Sequence, residues 1–89
     1  MISWKIHTER KNFDQIVEAV IQFFPCNGAN FSSSTGLWKE KLEESLVIEI
    51  IGTARYKSKI KHLANLIKTM NQQEAVLVTA TELISFDLL

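Results

Sequence analysis

Arg55, Lys57, Lys59, Lys61 and His62, with Tyr56 among them, form the densest run of positive charge in the chain. They fall just before and inside the first turns of a helix-period stretch. Unpaired backbone amides there already favour an anion, so the chemistry this run could perform is phosphate binding. Lys59 and Lys61 point in different directions on such a helix, and an ordinary solvated segment is the plainer account of the same residues. A second polar run, Asn30, Ser32, Ser33, Ser34 and Thr35, lies beside Trp38. Hydroxyls and amides around an aromatic plate could hold a base or a sugar, although an exposed strand has the same composition. The candidate ligand-binding set is therefore Arg55, Lys57 and Lys59 for the anion, and Ser32, Ser34 and Trp38 for the remainder of the molecule.

Catalytic chemistry finds less to work with. His7 and His62 belong to no metal spacing such as His-Glu-x-x-His and read as separate surface or boundary histidines. Cys26 has no basic sequence neighbour to activate it as a nucleophile. The carboxylates are scattered rather than paired for acid and base roles. Glu49 interrupts the apolar run Leu46 to Ile51, so its charge must reach solvent or be paired, for example with a lysine of a neighbouring subunit. The expectation is a protein that is not an enzyme, with no metal site and no cofactor.

The elements that would position these residues follow from hydrophobic spacing. Ile2, Trp4 and Ile6 alternate with Ser3, Lys5 and His7, as in a strand with one buried face. From Asn12 the period changes: Phe13, Ile16, Val17, Val20, Ile21 and Phe24 share a helical face, with Asn12 as N-cap, Gln15 closing a capping box and Pro25 ending the helix. Ala29 to Leu42 reads as a long strand bulged near Gly36, followed by a charged turn at Glu43 and Glu44 and a central strand from Leu46 to Ile51. Ile60, Leu63, Ala64, Ile67 and Met70 mark a second helix, with Ser58 as N-cap and Asn71 as its stop. Ala75 to Thr81 reads as the fourth strand. The alternation of Ile84, Phe86 and Leu88 either continues it or adds a fifth, edge strand.

This order predicts an α+β fold, a ferredoxin-like βαββαβ sandwich whose antiparallel sheet carries both helices on one face, with an extra C-terminal edge strand as an option. The other face is left open. Val47, Ile51 and either Leu77 or Val76 and Val78 must point there, with some of Trp38, Leu37 and Phe31. Apolar residues on both sides of the central strands imply that a second subunit covers that face.

Composition sets the outer bounds. A chain of 89 residues, 46% hydrophobic and 22% charged, is expected to fold as one domain, 1–89, with a core small enough that oligomerisation is a common remedy. Ten basic and ten acidic side chains cancel, which argues against a surface built for nucleic acid. The interleaved N-terminus lacks a signal peptide's apolar centre, and no segment approaches the roughly 20 apolar residues of a membrane span. A single cysteine fits a reducing interior, so the expected location is the cytoplasm.

The stretch Cys26, Asn27, Gly28, Ala29, Asn30, then Trp38, Lys39, Glu40, Lys41, Leu42, Glu43, Glu44 and the run Leu46 to Ile51, resembles the middle of CutA proteins, which have a cysteine and asparagine before their second strand and a tryptophan in a charged connection from the second strand to the third. Glu40 stands where that family usually has glycine, the connection is shorter, and Asn71, Gln72, Gln73 replace its histidine-proline-tyrosine segment. The resemblance covers about a third of the chain. It implies a ferredoxin-like protomer assembled as a trimer, an architecture shared with PII signalling proteins, whose intersubunit clefts bind nucleotides. It transfers no ligand-contacting residue.

Two functions from different classes follow. One is a non-enzymatic homo-oligomer, a trimer by the resemblance, that senses or sequesters a small anionic ligand such as a nucleotide in an intersubunit cleft. The other is a protein-interaction module or inhibitor, for example a phage anti-defence protein, acting through its exposed sheet or edge strand.

Overall fold

The computed structural model describes residues 1–84 and 87, and at Trp38 the backbone alone. Chain order is β1 (Ile2–Glu9), α1 (Phe13–Phe23), β2 (Asn30–Trp38), β3 (Lys41–Gly52), a 3-10 turn (Ala54–Tyr56), α2 (Lys57–Met70) and β4 (Leu77–Glu82). The strands form one antiparallel sheet in the order β2-β3-β1-β4, so β1 and β3 are central and β2 and β4 are edges. The fold is α+β, with two helices and a four-stranded antiparallel sheet. Among the described residues no helix is long and apolar enough to cross a membrane.

Alternation decides which side chains make the core. Trp4 and Ile6 of β1 sit opposite Ile50 and Ile48 of β3, and all four are buried. They pack with Ile16, Ala19 and Val20 of α1 and Ile60, Leu63, Ala64 and Ile67 of α2. Val78 of β4 is opposite Ile6 and joins this side, whereas Leu77 is opposite His7 and lies 60% exposed on the other. Fully buried isoleucines such as Ile48 are worth about 2–5 kcal/mol each against alanine.

Several local expectations are corrected. The turn between β2 and β3 is at Lys39 and Glu40, both at positive φ (49° and 64°), not at Glu43 and Glu44. Those glutamates are paired within the ladder, opposite Gly36 and Thr35, and the unbroken register leaves no bulge at Gly36. Phe31 turns toward the helices, its ring edge-on to Phe13 at 5.6 Å. Leu37 shares that strand parity, so neither residue serves the open face. Ile21 lies off the buried stripe of α1 and is 58% exposed.

The helix ends also differ from expectation. Asn12 is the N-cap of α1 but in left-handed geometry and without a capping hydrogen bond, so no capping box forms. Its amide donates instead to Asn71 Oδ1 (2.9 Å) and Met70 O (3.4 Å), tying the start of α1 to the end of α2. Ser58 is inside α2 rather than its cap; the chain enters through the 3-10 turn, where the Arg55 amide donates to Thr53 Oγ1 at 3.3 Å. Gly52 permits this entry, because a Cβ there would lie 2.3 Å from the Tyr56 ring. The proposed fifth strand falls largely on residues outside those described; Ile84 itself is exposed.

Candidate functional site

Antiparallel register arranges the sheet face away from the helices into rows across four strands. The central row runs Asn30, Glu49, Lys5, Thr79. On one side lies the row Ser32, Val47, His7, Leu77; on the other, Ile51, Ser3, Thr81. A polar stripe with a charge at its centre is thus bordered by aliphatic side chains, Ile51 being 43% and Leu77 60% exposed.

Glu49 organises the stripe. Ser3 Oγ donates to Glu49 Oε2 at 2.6 Å, Asn30 Nδ2 donates to Oε1 at 3.5 Å, and Lys5 Nζ stands 3.9 Å from Oε2. The Ser3 hydrogen bond, with smaller contributions from Asn30 and Lys5, outweighs partial burial and holds the carboxyl below the usual glutamate range. An ionised carboxylate kept in place this way can receive a cationic or hydroxyl-bearing group presented from outside the sheet. Next to it, His7 Nε2 and Thr79 Oγ1 are 3.2 Å apart. The expected pairing of Glu49 is therefore met within one chain, by Ser3 and Lys5.

The sequence-derived ligand residues do not converge in one chain. Ser32 and Ser34 lie on the open face of β2, where Ser34 Oγ and Ser45 Oγ share a 2.6 Å hydrogen bond. Trp38 holds the register position opposite Lys41 at the hairpin end. Arg55 is in the 3-10 turn and Lys57 opens α2, beyond the far end of β3. From Ser45 to Gly52 alone the strand covers about 23 Å. Lys59 is engaged with an aromatic ring, its ammonium 5.6 Å from the centroid of Phe24. Hollows of about 850 and 470 Å³ lie at opposite ends of the sheet, and among the described residues neither is lined by Arg55, Lys57, Lys59, Ser32 or Ser34.

The larger hollow lies between the β2–β3 hairpin and the start of β4, with His7, Glu9, Glu43, Glu44 and Leu77 on its walls. At its base the buried Asn71 donates to Thr8 Oγ1 (3.2 Å), Glu9 O (3.3 Å) and Gln73 Oε1 (3.3 Å), while Thr8 donates to Gln73. This network joins β1, the end of α2 and the α2–β4 loop. Among the described residues no cluster of histidine, cysteine or carboxylate side chains has the makings of a metal site.

Sequence reasoning missed Ser3, Lys5 and Asn30 as the partners of Glu49. The alternation in β1 already put Ser3 and Lys5 on one face; the β1 to β3 register that sets Lys5 against Glu49 has no local sequence signal.

No protein-family model matches the chain, and no curated protein matches it either. Solved structures do match. A protein of the DUF3240 family from Shewanella baltica superposes with a TM-score of 0.79 at 15% identity, over 99% of this chain and 94% of that one. A phage SAM lyase in its apo state superposes with a TM-score of 0.63 at 16% identity, over 90% of this chain and 78% of that one. The likeness is one of fold. At such identities it carries neither activity nor ligand to this chain.

Proposed function

We propose that this chain is a ferredoxin-like protomer of a homo-oligomer, with the trimeric arrangement of CutA and PII proteins, that binds a small anionic molecule such as a nucleotide between subunits in the cytoplasm. The observation that carries the reading is the uncovered sheet face. Val47, Ile51 and Leu77 border a charged but internally neutralised centre, which two copies can bury without leaving a charge unpaired. A second copy is the fitting occupant. The domain is small enough to gain from shared burial, and its zero net charge opposes no self-association. The separation of Arg55 and Lys57 from Ser32 and Ser34 supports a site made from more than one copy. Arg55 and Lys57 would neutralise a phosphate there, and the β2 hydroxyls would orient the remainder.

The ionised Glu49 favours a second reading. The lyase that shares the fold acts on SAM, a sulfonium nucleoside, and a fixed carboxylate on the open face suits a cationic ligand of that kind better than an anion. In that reading the same cleft holds a cation and could be catalytic.

Native mass spectrometry of protein taken gently from its expressing cells tests both. A homo-oligomer with an extra mass of nucleotide size, lost in the Arg55→Ala/Lys57→Ala variant and kept in Glu49→Gln, is the expected result. The reverse pattern, together with consumption of added SAM followed by chromatography, would select the second reading. A bare monomer at all concentrations would overturn both and turn the search to a heterologous partner.

A further inference from the structure

The β2–β3 hairpin is longer than the body it grows from. β1 ends its pairing with β3 at Glu9 opposite Ser45, yet β2 and β3 continue through Thr35–Glu44, Gly36–Glu43, Leu37–Leu42 and Trp38–Lys41. Four further pairs make an arm of about 13 Å with no third strand beside it. Leu37 and Leu42 face each other near its end, 72% and 76% exposed. Glu44, two residues along from Leu42, shares their face, with Glu43 on the reverse.

Charge is unevenly distributed along this neutral chain. No acidic residue occurs between Ile50 and Gln73, a stretch holding Arg55, Lys57, Lys59, Lys61 and Lys68. On an α-helix Lys57, Lys61 and Lys68 fall within about 40° of one another, on the flank of α2 opposite Lys59 and hence away from α1. Among the described residues, no ion pair joins this flank to a carboxylate, nor the arm's Glu43 and Glu44 to a base. One molecule thus carries an overhanging arm with exposed leucines and carboxylates, and a lysine flank with which, among the described residues, that arm makes no ion pair.

We infer that the hairpin arm clasps a second copy, its Leu37, Leu42 and Glu44 face lying along the Lys57–Lys61–Lys68 flank of the neighbour's α2 and Glu43 adding its charge from the reverse. The inference rests on the self-association proposed above and adds the contact that gives it direction. Arm on helix joins two different surfaces, so when repeated head to tail it builds a ring where the rotation between copies closes. Opposed charges steer the arm and set its register, and the leucines supply the buried apolar surface.

Charge reversal tests it. Sedimentation velocity at low salt would compare the parent chain with Glu43→Lys/Glu44→Lys, Lys61→Glu/Lys68→Glu, and all four changes together, thermal melts confirming that each variant folds. Either pair alone is expected to weaken assembly about tenfold or more, and the fourfold variant to recover most of that loss because its complementarity is restored in reverse. An oligomeric parent whose assembly ignores either pair, or a fourfold variant no better than the pairs, overturns the arm contact and leaves the open-face reading standing. A monomeric parent overturns both.

Discussion

Glu49 is the residue whose setting has the most direct consequence in solution. Because Ser3, Asn30 and Lys5 favour its charged form, the folded chain binds this proton less tightly than the unfolded chain. The resulting stability is fully present above about pH 4.5 and is lost as pH falls through the lowered folded value. Glu49→Gln is expected to cost under about 1 kcal/mol at neutral pH, since solvent screens both Lys5 and Glu49. The gap should narrow as pH falls below about 4.5 and close once it has passed below the lowered folded value, where the parent carboxyl is itself protonated. Urea melts of both proteins across that range would check this; a gap that stayed constant would mean that charge is not what Glu49 contributes. At this scale the sequence was partly legible. A carboxylate in an apolar run announces a polar centre, but its partners lie 46, 44 and 19 positions away in sequence and only strand register brings them together.

At the scale of elements, period-2 and period-3.6 spacing was sufficient for the order of strands and helices, because each element buries one face and its spacing records that face. The hairpin was misread for a physical reason. Consecutive glutamates resemble a turn, whereas the actual turn puts Lys39 and Glu40 into left-handed geometry that Asn and Gly adopt more cheaply. Replacing the pair, Lys39→Asn/Glu40→Gly, should therefore stabilise the protein by about 1 kcal/mol, measured as a shift in the urea midpoint with the slope unchanged. No gain would mean that Lys39 makes contacts worth as much as the relieved strain. The edge of the α1 stripe was equally hard to place: Ile21 fits an apolar run but lies about 100° round the helix from the buried Val20 and is 58% exposed. The anion site was not legible as a place at all, since charge density along the sequence does not say how far Arg55 stands from Ser32.

For the molecule as a whole, the sheet order makes stability unequal. β1 and β3 are hydrogen-bonded on both sides and carry the buried Trp4, Ile6, Leu46, Ile48 and Ile50, whereas β2 and β4 each have one partner. Amide exchange should be slowest at these β1 and β3 residues. It should be fastest in the arm beyond Ser45, where opening breaks few buried contacts. Slow exchange at the arm in dilute protein would mean that something covers it even there. Among the described residues, two apolar regions outside the core, the open sheet face and the tip of the arm, lie on different sides of the sheet, so one flat partner cannot cover both.

The central position of the first strand also affects how the chain is made. Both neighbours of β1 come later in sequence, β3 at residues 41–52 and β4 at 77–82. As the polypeptide leaves the ribosome at roughly 5–20 residues per second, Ile2 to Glu9 must wait several seconds with an apolar face and two bare hydrogen-bonding edges. Chaperone capture and misassembly are therefore most expected in that interval, before Leu77 to Glu82 emerges to complete the sheet.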